Sequence, residues 1–283
     1  MIEPLLAGEA FLADVRAAEK DPTSLHAWWL GQSGFLLSFA GRRALLDPYL
    51  SDSLTRKYAA TSTPHVRMTR RVVDPARLPA LDVVTSTHAH TDHLDPETLA
   101  PIFSAHPTTA LVIPEATREL AAERAGIDRE RPFGLDPGEH VEIAGVRIEA
   151  VPAAHETIEY DDRGHCRFLG YVIHIGDWCV YHSGDTIRHE GMSQMIEPNA
   201  VDVAFLPING RDPARGVAGN LTGVEAAHLA RDVGAACAVP CHYEMFEFNT
   251  ASPDAFVATA HAIGQRVRVL QAGERMTFSR VDA

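Results

Sequence analysis

The segment Thr87-His88-Ala89-His90-Thr91-Asp92-His93-Leu94-Asp95 places four ligand-type side chains within six residues. His88 and His90 stand two apart where the chain leaves an apolar run, Leu81–Thr85. In extended backbone their rings point to the same side and can share one metal ion. Asp92 and His93 follow at the turn into a helix, with Asp95 as its N-cap and Pro96 at its first position. They therefore face a second position beside the first. Imidazole and carboxylate without thiolate suit Zn, Mn or Fe.

Three further candidates come directly after apolar strands. His155 follows Arg147–Ala154, Asp185 follows Cys179–Gly184, and His242 follows Ala236–Cys241. With His88–His93 these make four strand exits. They should meet at one rim, where a rigid scaffold holds functional loops. His182, next to the Asp185 loop, is read either as a proton donor to a leaving group or as a support for the ligand shell. Asn209, Gly210 and Arg211 open a glycine-rich loop ending at Asn220; Asn209 and Arg211 are candidate substrate contacts and the loop a candidate lid. Between Asp52 and Ala80 lie Arg56, Lys57, Arg67, Arg70, Arg71 and Arg77 against Asp52 and Asp74, a local excess of positive charge. Arg70 and Arg71 are the expected partners of an anionic substrate group, since a guanidinium grips phosphate or carboxylate with two parallel hydrogen bonds. Tyr58, His65 and Met68 would add a pocket wall.

The chain as a whole is acidic: 25 Lys+Arg against 38 Asp+Glu give 25 − 38 = −13 over 283 residues. That balance disfavours nucleic acid as a partner, because its binders carry basic patches. No stretch approaches the 18 apolar residues of a membrane span, so neither membrane insertion nor secretion is expected. Cys166, Cys179, Cys237 and Cys241 make no disulfide framework, which points to a reducing cytoplasm. A small molecule is the expected partner, and a homo-oligomer is compatible with the composition.

No linker or low-complexity tract divides the chain, so residues 1–283 are read as one domain. A helix is expected over Pro4–Glu19. Strands follow across His26–Phe39, with a bend at Gly31, and over Arg43–Asp47. From there apolar strands alternate with helices up to a last helix, Pro253–Ile263, and a last strand, Arg266–Gln271. Strands come in two batches, each followed by helices. The expected fold is α/β, a four-layer αββα sandwich of two similar halves.

His88-x-His90-x-Asp92-His93, with His155, Asp185 and His242 downstream, resembles the metallo-β-lactamase superfamily. Within it, Trp28-Trp29-Leu30-Gly31, the strand end Asp47-Pro48, Thr87–Asp95 and Tyr181-His-Ser-Gly-Asp-Thr186 are similar to the L-ascorbate-6-phosphate lactonase branch. The likeness runs from about His26 to His242. It implies a dinuclear site: His88, His90 and His155 on one divalent ion, Asp92, His93 and His242 on the other, and Asp185 bridging. It also implies a metal-activated hydroxide attacking a small, possibly anionic lactone or ester, with Asp92 able to take the nucleophile's proton. A phosphodiester or lactam is the alternative substrate. An iron-dependent oxidoreductase is the alternative of another class.

Overall fold

Leu25–Gly31 is buried along its whole length, and so is nearly all of Gly34–Phe39. Such unbroken burial belongs to strands covered on both faces, and the structure builds two sheets from strands of this kind. This structure, a computed structural model, describes residues 1–216 and 218–280.

The first sheet begins as an antiparallel meander of β1 (Leu25–Gly31), β2 (Gly34–Phe39) and β3 (Arg42–Leu46). It continues with the parallel strands β4 (Val83–Thr85), β5 (Ala110–Pro114) and β6 (Phe133–Leu135). The second sheet repeats the plan. β7 (His140–Ile143), β8 (Val146–Pro152), β9 (Leu169–Ile175) and β10 (Trp178–His182) are antiparallel, then β11 (Val203–Pro207) and β12 (Cys237–Cys241) run parallel to β10. β13 (Arg275–Phe278) returns to the first sheet beside β1.

This direction rule brings the ligand-type residues to one rim. β8, β10 and β12 all run the same way, so the residues that follow them, His155, Asp185 and His242, leave one edge of the second sheet. Asp47 and the His88 loop likewise leave the same edge of the first, after the parallel pair β3 and β4. Phe35 and Phe205 stack between the sheets with ring centroids 3.8 Å apart, locking the two rims in register. Gly184 is forced by this closeness. Its φ is +63°, and a Cβ there would lie 2.7 Å from the Thr87 side chain.

Helices cover the outer faces. α1 (Gly8–Ala18) sets Phe11 against Trp28, whose indole donates to Asp14 Oδ2 at 2.9 Å. α3 (Pro96–Ala105) has Asp95 as its cap, accepting from Glu97 N, and α4 (Arg118–Ala125) packs on α3 and β5. On the other face α6 (Gly223–Asp232) starts with a full capping box of Thr222 and Glu225, and packs on β11, β12 and α7 (Asp254–Ala262). The short helices α2 (Ser53–Lys57) and α5 (Met192–Ile196) complete the set. None of these helices is long and apolar enough to cross a membrane.

Two expected elements differ. The first helix starts at Gly8 instead of Pro4, because Ile2 bridges Thr69 and the Leu5 amide donates to the Ala272 carbonyl. In Arg266–Gln271 only Val267 makes a bridge, to Ala238. The last full strand is Arg275–Phe278, whose place beside β1 depends on a partner some 250 residues away in sequence.

Candidate metal centre

Asp47 organises the ligand loop from behind. Fully buried at the end of β3, with φ +39°, it accepts hydrogen bonds from the Thr87 amide (3.0 Å), the Thr87 hydroxyl and His93 Nδ1 (2.7 Å). A carboxylate can only accept, so His93 carries a proton on Nδ1 and leaves Nε2 facing outward. The Thr87 hydroxyl spends its proton on Asp47 and must accept from His88 Nδ1, 3.1 Å away. His155 donates from Nδ1 to the Gly219 carbonyl at 2.9 Å. Three histidines thus have their tautomers set by outer partners, as metal-ligating histidines generally do. Arg124 of α4 pins both ends of the loop, donating to the carbonyls of Ala89 (2.7 Å) and Leu94 (3.0 Å).

The candidates converge. Asp185 Oδ2 lies 3.3 Å from His242 Nε2, 3.4 Å from His93 Nε2 and 3.7 Å from His155 Nε2. Asp92 Oδ2 lies 3.6 Å from Nε2 of both His93 and His242. His88, His90 and His155 form one group able to hold a metal, and Asp92, His93 and His242 another. His88 Nε2, His93 Nε2 and Asp185 Oδ1 are buried without a hydrogen-bond partner among the described residues. Buried polar atoms seldom stay unpaired, so this donor set fits divalent cations.

The two groups differ in charge. Burial, with His93 and His90 nearby, holds the His88 pKa well below the usual histidine value, and burial also lowers that of His90. Burial opposes the charged form of His93 and His242 too, but Asp185 and Asp92 outweigh it. His93 is raised well above the ordinary range and His242 to about 9. Against their own burial, Asp92 is held low chiefly by His93, and Asp185 chiefly by His242 and His93.

Sequence reading missed Gln32. It is fully buried in the β1–β2 bend, with φ +51°. Its carbonyl accepts from the His242 amide and the Trp29 indole, both at 2.9 Å. Its side-chain Nε2 lies 2.7 Å from Asp92 Oδ2 and 3.0 Å from His242 Nε2. A polar residue between two strands carries no metal signal, so only the fold reveals it. Asp47 could have been found, since it follows an apolar strand just as the other candidates do.

A cavity of about 480 Å³ opens over these groups, lined by His90, Asp92, His155, Asp185 and His242 on the ligand side. Leu54, Tyr58 and His65 of the 52–80 insert line it as well, but Met68 does not. Arg70 and Arg71 do not line it either. Arg70 pairs with Glu3 (3.1 Å) and Arg71 reaches the Leu50 carbonyl (3.4 Å), because the N-terminal segment pairs with this stretch and turns it outward. The insert's cation in the cleft is Lys57, joined by Arg124 from α4. His182 is also absent from the lining. It sits between the sheets, edge-on to Phe35 and Phe205, and donates from Nε2 to the Ser33 carbonyl at 2.9 Å. Asn209 lies one step behind the cleft: it donates to Asn249 and accepts from Asn220, each at 3.0 Å, and those two do line it. Arg211 pairs with Glu225 and borders a second cavity of about 320 Å³ next to His155. The 209–220 loop includes Val217, which lies outside the described residues.

A family model described as "Beta-lactamase superfamily domain" matches residues 42–243. A UPF0173 metal-dependent hydrolase from Opitutus terrae is 32% identical over 252 residues, covering 87% of this chain and 96% of the relative. One from Thermoplasma acidophilum is 28% identical, covering 84% and 92%. Among solved structures, the metallo hydrolase Igni18 of Ignicoccus hospitalis superposes with a TM-score of 0.67 at 24% identity, over 91% of this chain and 99% of that one. That last likeness bears on the fold alone.

Proposed function

The chain belongs to the beta-lactamase superfamily as a relative of the UPF0173 metal-dependent hydrolases, and from that premise we propose that it cleaves a small lactone- or ester-type substrate with two divalent cations. The observation that carries the two-cation reading is the place of Asp185. Its Oδ2 lies within 3.7 Å of Nε2 atoms from both ligand groups, His155 on one side and His93 and His242 on the other.

His88, His90 and His155 would hold one cation, and Asp92, His93 and His242 the other, with Asp185 shared. Zinc or manganese suits this donor set, and iron is the third choice. When bound, such ions supply a water acidic enough to ionise near neutral pH and a Lewis acid for a developing oxyanion. The chain's own residues do the rest. Asp47, Thr87 and the Gly219 carbonyl fix the three ring tautomers. The Gln32 amide donates to Asp92, the carboxylate we assign to proton transfer. Lys57 and Arg124 give the cleft positive charge in an acidic protein, which suits a substrate with an anionic group. A cytoplasmic setting belongs to this reading, since all four cysteines are unpaired.

Metal analysis of protein purified without added metal, with assays on a panel of lactones, esters, lactams and phosphodiesters, tests the proposal. Two ions per chain with lactone or ester turnover is expected. Turnover of phosphodiesters or lactams alone would favour the alternative substrates, and one ion per chain would remove the dinuclear mechanism.

A further inference from the structure

The side of the cleft that carries no candidate ligand is aromatic. Tyr58 and His65 lie face to face, centroids 4.2 Å apart and planes inclined by 18°. Phe248 packs on His65 at 4.4 Å, and Phe246 meets its edge at 5.2 Å. Beneath these rings Tyr49, Leu54, Met245 and Phe246 form a small apolar cluster separate from the main core.

The outer rings of Tyr58, His65 and Phe248 are only partly covered, although all three line the cleft. His65 behaves here as a flat apolar ring. Its Nδ1 donates to the Thr63 carbonyl at 3.0 Å, and burial lowers its pKa, disfavouring the charged ring. Half-wet aromatic surface beside polar ligands is how small-molecule sites are built: apolar walls take up the body of the ligand, and a few polar groups orient it. Ring faces and edges at these spacings favour another ring over an alkyl chain, because offset and edge-to-face pairs gain beyond simple burial.

We propose that the substrate carries a planar aromatic group that packs against Tyr58, His65 and Phe248 while its scissile bond faces His90, Asp92 and Asp185. The chemical class is then an aryl or arylacyl ester, or a lactone fused to or bearing an arene. A cavity of about 480 Å³ has room for a molecule of this kind. The inference rests on the two-cation reading of the same site, which supplies the chemistry.

The test uses the full-length, metal-loaded protein and hydroxamates, which chelate divalent metals and need no turnover. Acetohydroxamate is compared with benzo-, phenylaceto- and 3-phenylpropionohydroxamate, and with alkyl hydroxamates of matching carbon number, by calorimetry. At least one aryl probe should bind about tenfold tighter than both acetohydroxamate and its alkyl match. Tyr58→Ala and Phe248→Ala should each lose most of that preference with acetohydroxamate affinity and metal content unchanged. His65→Ala should lose it and His65→Phe keep it, because only the ring face is used. If acetohydroxamate fails to bind, the two-cation reading fails and takes this inference with it. If acetohydroxamate binds but no aryl probe is preferred, or the variants weaken all probes alike, this inference alone is overturned.

Discussion

The two ligand groups share one rim but are built on opposite electrostatic terms. His88, His90 and His155 contain no carboxylate, and His88 and His90 are pushed toward their neutral form. Asp92, His93 and His242 sit with Asp185 in a mesh of mutual attraction, with His242 raised to about 9. In the absence of metal, protons on His93 and His242 are favoured by Asp92 and Asp185, whereas burial disfavours them on His88 and His90. His88 and His90 are therefore expected to offer open lone pairs, whereas a cation entering the second group should have to displace protons. It must also displace the Gln32 amide, which lies within hydrogen-bond reach of Asp92 and His242. A site symmetric in its candidate ligand count is then expected to be asymmetric in how it fills.

Removing the shared residue should break the comparison most severely. Asp185→Ala is expected to weaken the second cation by more than about a hundredfold and leave one ion per chain by metal analysis, since outer-sphere partners alone are worth 10–100-fold. Asp47→Asn comes next. It spares every proposed ligand but weakens the acceptor for His93 Nδ1 and Thr87, so metal affinity should fall by about 10–100-fold, with the loss larger at the second group. Equal loss at both groups would show that Asp47 acts on the loop as a whole.

A smaller, graded effect follows from pH. His242 has a folded pKa of about 9, above the ordinary value of about 6.5. Its pairing therefore stabilises the metal-free protein fully below about pH 6.5, and that stability is lost as pH rises through 9. The thermal midpoint of metal-free protein should fall between pH 6.5 and 9, and that of metal-loaded protein should not. Over the same window the second cation should bind about tenfold tighter per pH unit for each proton displaced. A flat profile would mean that the second group is not protonated in the metal-free protein. The smallest effect should come from Gln32→Ala. Freeing the Asp92 carboxylate from an amide donor should tighten the second cation by about fivefold, at roughly 1 kcal/mol per hydrogen bond. Weaker binding in that variant would make Gln32 a supporting residue instead.

Local signals carried the fold and the meeting of the candidate residues much further than the walls of the cleft. Strand exits are written in the sequence as apolar runs ending in His or Asp, and parallel strand direction does the gathering. That is why His88–His93, His155, Asp185 and His242 meet. Arg70 and Arg71 were misplaced because a charge count says nothing about direction, and the Ile2–Thr69 bridge turns that stretch outward. His182 shows the same blindness: Asp185, three residues on, lines the site, but the His182 ring lies between the sheets. Arg124 escaped notice for the reverse reason, since its role depends on α4 crossing behind the ligand loop.

Two cation subsites that fill by different chemistry should be separable by the protons each releases. Calorimetric titration of metal-free protein with Mn²⁺ at pH 7, repeated in two buffers of different ionisation enthalpy, counts ions and protons together. Two binding events are expected, the tighter with almost no proton release and the weaker releasing at least one proton, most of it from His242 and His93. A single event, or two events with the same proton count, would contradict that expectation.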